Sequence, residues 1–144
     1  MLMKFEDLPN HRKAEIYRSN YTKWKGKSLD TAGYFPVFQP FKEGFLLREL
    51  SGNALKLYVY LGLHTGNKTG ETWVTIESMA TYFEKSKRTI STWLEELIAH
   101  DLIVRMQLTY NEPAHTFLLP YGYSILLEME YENMNRDAER NKEK

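Results

Sequence analysis

The sequence predicts an α+β fold, mainly α-helical, with an N-terminal arm bearing a helix and a C-terminal helix. Three observations carry this. Between residues 51 and 100, successive segments place apolar residues at i, i+3, i+4, i+7. After Asp101 the apolar period falls from 3.6 to two, and a proline-centred turn follows. The 144 residues, 42% hydrophobic and 14% aromatic, suffice for one packed core and are too apolar for a mostly disordered chain.

Residues 1–44 form an N-terminal region. Ala14, Tyr17, Tyr21 and Trp24 stand at steps of three, four and three within residues 11–24, a helical stripe opposed by a basic face. Three readings of this helix stand: its stripe packs on its own domain, it pairs with a second subunit, or its bases Arg12, Lys13, Arg18, Lys23, Lys25 and Lys27 lie along DNA. Pro36 and Pro40 disfavour helix in residues 35–41 and push their neighbours to extended geometry, so this aromatic segment is expected as a strap over the core.

Residues 45–120 form the central domain. Ser51-Gly52-Asn53 offers an N-cap oxygen, and Ala54, Leu57, Tyr58 and Leu61 follow at helical spacing. Gly66-Asn67-Lys68-Thr69-Gly70 is turn chemistry, and Thr72-Trp73-Val74 has strand character. Thr75 caps a short helix with the stripe Ile76, Met79, Ala80 and Phe83; Glu84-Lys85-Ser86 breaks it. Ser86 caps a further helix over 86–100, with Ile90, Trp93, Leu94 and Leu97 inward. Leu102, Val104, Met106, Leu108 and Tyr110 then alternate with Ile103, Arg105, Gln107 and Thr109, the pattern of a half-buried strand. Asn111-Glu112-Pro113 turns the chain, and residues 115–119 return as the second strand of a hairpin. Residues 121–144 are read as one helix, apolar at Ile125, Leu126 and Met129 and fraying from Asn133 onward.

Composition excludes several functions. Without cysteine there is no disulfide framework, thiolate nucleophile or Cys-ligated zinc. His11, His64, His100 and His115 fall in separate elements with no metal-ligand spacing, and the glycines of residues 62–70 lack the phosphate-loop pattern. No enzyme activity, metal or cofactor is therefore expected. No apolar run reaches the roughly 18 residues that span a bilayer, and the N-terminus lacks a signal peptide's apolar stretch, so a cytoplasmic protein is expected. The 19 basic and 19 acidic residues cancel, but residues 1–50 carry +3, 51–120 carry −1 and 121–144 carry −2. A neutral total argues against indiscriminate binding to polyanions and leaves room for a local basic face.

The order helix, short strand, helix, tight turn, helix, hairpin is the winged helix-turn-helix layout, in which the second helix of the pair enters a major groove. Thr72-Trp73-Val74-Thr75-Ile76-Glu77-Ser78-Met79-Ala80, then Ser86-Lys87-Arg88-Thr89-Ile90-Ser91-Thr92-Trp93-Leu94-Glu95-Glu96-Leu97 and Asp101-Leu102-Ile103, resembles the winged-helix domains of bacterial transcriptional regulators. It is similar in particular to those of replication-initiator-type proteins of Gram-positive bacteria, their plasmids and phages. The resemblance covers roughly residues 45–120 and departs at Asp101, where glycine is common, and at Trp93, larger than the usual residue.

Residues in named positions follow. Lys85, Lys87 and Arg88 sit at or before the helix N-terminus, where backbone amides and the macrodipole favour phosphate; Arg88 also has the reach for a guanine edge. Ser86, Thr89, Ser91 and Thr92 add hydroxyls, and Glu95 and Glu96 are expected at the footprint's edge. On the wing, Arg105, Tyr110 and Asn111 are candidate contacts, with His115 able to touch phosphate if protonated; a purely structural hairpin is the equal alternative. The expected partner is double-stranded DNA, bound as a homodimer through the flanking helices, with no membrane and no small-molecule effector evident. The expected function is transcription regulation on a mobile element. A plasmid or phage replication-initiation or partition module, or a protein-interaction scaffold, are the alternatives.

Overall fold

The computed structural model describes residues 2–66, 68–122 and 124–143, with the side chains of 124–131 outside that description. The expected turn residue Asn67 and the apolar stripe Ile125, Leu126 and Met129 therefore lie outside the described residues and side chains. The chain divides into two compact units, Met1–Tyr34 and Phe35–Lys144. The aromatic segment 35–41 lies in the second of these units.

In the first unit a 3-10 turn, Phe5–Asp7, precedes helix α1, Asn10–Thr31. The helix outruns the expected 11–24 and runs through Gly26, a glycine that costs a helix interior only about 1 kcal/mol relative to alanine. It buries none of its residues. Phe5 meets Tyr17 edge-on at 5.6 Å, yet Tyr17, Tyr21 and Trp24 stay 61%, 58% and 63% exposed. The unit supplies the stripe with no core of its own.

The second unit opens with residues 35–38 outside any helix or strand. Pro40 ends that segment early. A proline is tolerated at the first helical position, where its missing N–H would be unpaired anyway, and Pro40–Glu43 forms the one-turn helix α2. Phe41 is buried and stacks on Tyr58 at 5.5 Å. Phe35 lies so close to Gly62 that a Cβ there would stand 2.5 Å from its ring, so the strap's approach depends on that glycine. A second single turn, α3, Leu46–Glu49, leads to buried Leu50.

The three-helix core forms as the sequence directs. Ser51 accepts a hydrogen bond from the Ala54 amide at the start of α4, Gly52–His64, which buries Ala54, Leu57, Tyr58 and Leu61. Strand β1 is Glu71–Thr72, displaced from the expected 72–74 because only these two residues pair with its neighbour; Trp73 stays 66% exposed. Thr75 caps α5, Ile76–Phe83, and Ser86 caps α6, Lys87–Ala99, both through side-chain oxygens. Between them Glu84 takes a left-handed φ of 54°, giving the tight turn. Ile90, Trp93, Leu94 and Leu97 are all buried, and Trp93 packs edge-on against Phe83 at 5.6 Å.

Asp101 ends α6 in a left-handed conformation, φ 56°, so the non-glycine is accommodated there. Strands β2, Ile103–Met106, and β3, His115–Leu118, complete an antiparallel sheet of order β1-β3-β2, with Arg105 opposite Thr116 and Glu71 opposite Phe117. The fold is α+β and mainly α, 59% helical, consistent with a winged helix-turn-helix.

The expected long strand is shorter. Leu102 and Ile103 are buried in succession, whereas Val104, Met106, Leu108 and Tyr110 are 38%, 48%, 53% and 90% exposed. The face holding Ile103 and Thr116 is the buried one, Val104 and Met106 lie on the exposed side, and pairing stops where the four residues of β3 run out. Helix α7, Ser124–Lys142, stays helical through the polar stretch that was expected to fray.

Candidate nucleic-acid interface

Helix α6 turns its apolar stripe into the core, and its opposite face is open. Lys85, Lys87, Arg88 and Thr92 are exposed and Ser91 is half-buried. The three cations cluster at the helix N-terminus, where unpaired amides and the macrodipole add positive potential. The inward residues hold this surface rigidly from behind, and no element of the same unit covers it.

The side chains do not contribute equally. Ser86 Oγ accepts from the Thr89 amide at 3.1 Å and donates to Thr89 Oγ1 at 3.0 Å, so the Ser86 hydroxyl has spent its proton on the cap while Thr89 keeps its own to donate. Thr92 Oγ1 donates to the Arg88 carbonyl at 3.1 Å and keeps only acceptor capacity outward. Lys87 Nζ pairs with Glu77 Oε1 at 3.1 Å, bridging the first turns of α6 and α5. Glu77's carboxyl is held below its usual range, first by its own backbone amide and then by Lys87. Arg88 makes no ion pair among the described residues, and Lys85 makes none either.

Glu96 has a structural partner that the sequence did not show. Its Oε2 accepts from the Ser51 amide and hydroxyl at 2.9 and 3.0 Å, fastening α6 to the start of α4. Helical periodicity within one segment cannot show such a long-range partner. Glu95 remains exposed on the outer face. At the far end His100 Nδ1 donates to the Glu96 carbonyl at 2.9 Å, capping the helix.

On the wing, Arg105 Nε donates to buried Thr116 Oγ1 at 3.1 Å, and burial lowers the guanidinium's pKa from its ordinary value. Arg105 is thus half-buried sheet structure. His115 is likewise engaged, its Nδ1 on Glu71 Oε1, which argues against the expected role at a phosphate. Tyr110 and Asn111 stand at the tip, Tyr110 90% exposed and Asn111 at φ 68°. Gln107 Nε2 closes the tip on the Glu112 carbonyl at 2.9 Å.

Three helices with a capped tight turn, an outward cationic helix face and a pairing hairpin define a winged helix-turn-helix module. Residues 48–103 match a family model described as a helix-turn-helix domain. The match spans α4, β1, α5 and α6 and stops at the first residue of β2, so the wing lies beyond it. No curated protein and no solved structure matches the chain. A helix-turn-helix domain supports DNA as the partner. Among the described residues no helix is long and apolar enough to cross a membrane, and no group of three or more His, Cys, Asp or Glu side chains is gathered to hold a metal.

Proposed function

We propose that this chain is a sequence-specific double-stranded DNA-binding protein, a cytoplasmic transcriptional regulator of a bacterial mobile element. Helix α6 enters the major groove, with Arg88 reading a base edge and Lys85 and Lys87 gripping phosphate. The observation that carries the reading is the open N-terminal face of α6: Lys85, Lys87 and Arg88 exposed together over a sealed apolar back. The wing contributes through Tyr110 and Asn111, since Arg105 and His115 are held within the sheet. One winged helix reads few base pairs, and a two-fold pair doubles the footprint. The aromatic stripe of α1, for which its own unit supplies no core, supports pairing of two chains. The protein acts by binding, not catalysis.

The test is binding of a random duplex and of the DNA upstream of the chain's own gene, at two salt concentrations. Steep salt dependence with upstream preference supports a regulator. Preference for iterated repeats transfers the reading to replication or partition, and no binding at either salt overturns it.

A further inference from the structure

Tyr58 is 2% exposed, and its phenol oxygen has no hydrogen-bond partner among the described residues. No side-chain nitrogen or oxygen among those residues is both sealed and unpartnered. The Tyr58 hydroxyl therefore reaches open space. Tyr58 lines a cavity of about 370 Å³ whose wall also includes Phe35, Phe38, Leu118 and Tyr121. A neighbouring groove beneath Val37 and Leu47 also touches Tyr58 but not Tyr121. Tyr58 and Tyr121 both line the first cavity.

We propose that this cavity binds a small planar aromatic molecule carrying a carbonyl-type acceptor, with Tyr58 Oη donating to that oxygen. The volume falls within the range of small-molecule sites, about 300–1,000 Å³, and the wall has their usual make-up of apolar and aromatic surface with few polar atoms. Rings on several sides favour a flat ring, through offset or edge contacts. Burial and Tyr121 together hold the Tyr58 phenol protonated far into the alkaline range, so it presents a donor. The strap forms the rim: the Phe38 amide donates to Tyr121 Oη at 2.8 Å, linking residues 35–38 to the chain just beyond β3. The proposal is independent of the DNA-binding reading.

The test is amide-resolved NMR titration of the full chain with 2-acetylnaphthalene and, separately, 2-ethylnaphthalene, which lacks the oxygen. The expected result is saturable shifts confined to the amides of Phe38, Gly70, Leu119 and Tyr121, with the ketone bound about tenfold more tightly. Tyr58→Phe keeps the ring and erases that preference, and Leu118→Trp fills the cavity and blocks both compounds. Where Leu118→Trp fails to fold, Tyr58→Phe decides. Equal affinities in the parent chain, a preference surviving Tyr58→Phe, absent saturation or shifts scattered over the surface each overturn the proposal. Shifts of the same amides on raising protein concentration alone would give the cavity to a second copy of the chain, and also overturn it.

Discussion

Glu96 Oε2 accepts hydrogen bonds from both the backbone amide and the hydroxyl of Ser51, at 2.9 and 3.0 Å, while Ser51 Oγ accepts from the Ala54 amide at 3.1 Å. The arrangement resembles a capping box whose acid comes from another helix. It welds the start of α4 to the last turn of α6. Glu96→Ala leaves the Ser51 amide without its acceptor and should lower unfolding free energy by about 1–2 kcal/mol in urea titration. Glu96→Gln, which keeps an acceptor, should cost less. Equal stability of all three proteins would show that the weld contributes nothing.

Charge reversal at Lys87 and Arg88 together should abolish duplex binding while leaving the circular dichroism spectrum and melting temperature close to those of the parent. Both side chains are exposed and neither enters the core. Neutralising the same two residues should reduce the salt slope by about 0.9 for each phosphate that is no longer neutralised. Retained affinity after the double reversal would remove α6 as the reading helix.

Glu77 holds Lys87 in the free protein, and a DNA phosphate has to displace that carboxylate to use the same ammonium. Glu77→Gln should therefore tighten duplex binding, by roughly two- to fivefold at low salt, with the gain shrinking as salt rises. The same substitution in a Lys87→Gln background should gain less. An equal gain in both backgrounds would show plain repulsion of phosphate by Glu77 instead of competition.

Gly62→Ala should loosen the strap, because its Cβ would stand 2.5 Å from the Phe35 ring, which has to move. The expected loss is about 1–3 kcal/mol in chemical denaturation, the range for overpacking. Phe35→Ala in the same background should recover part of it, by making room.

Alkaline stability isolates Tyr58. Burial, with Tyr121 second, raises its pKa in the folded chain, so on unfolding the phenol returns to an ordinary value near 10. The unfolded chain then binds fewer protons, and stability falls as pH rises above about 10. Thermal melts from pH 8 to 11 should fall more steeply for the parent than for Tyr58→Phe. Parallel curves would remove Tyr58 as the cause.

The helices were legible because each carries its own instructions. Ser51, Thr75 and Ser86 signal three starts, and each side chain accepts a hydrogen bond from an amide of its helix's first turn. The residues spaced at i, i+3, i+4, i+7 in α4 and α6 are the buried ones. The hairpin was legible in existence and not in extent: alternation from Leu102 to Tyr110 shows a period but does not say which side faces the helices. The engagement of Arg105 with Thr116, of His115 with Glu71 and of Glu96 with Ser51 joins residues far apart in sequence or across strands, and no local pattern encodes those pairs.

By itself the amino-acid order determined the helix-turn-helix core and its cationic helix start, since caps and apolar periodicity act over a few residues and need no distant partner. The tertiary structure alone decided which of the charged and hydroxyl groups remain open to a ligand. A side chain's freedom depends on what the folded chain sets within about 3 Å of it, and that proximity exists only after distant segments have packed together.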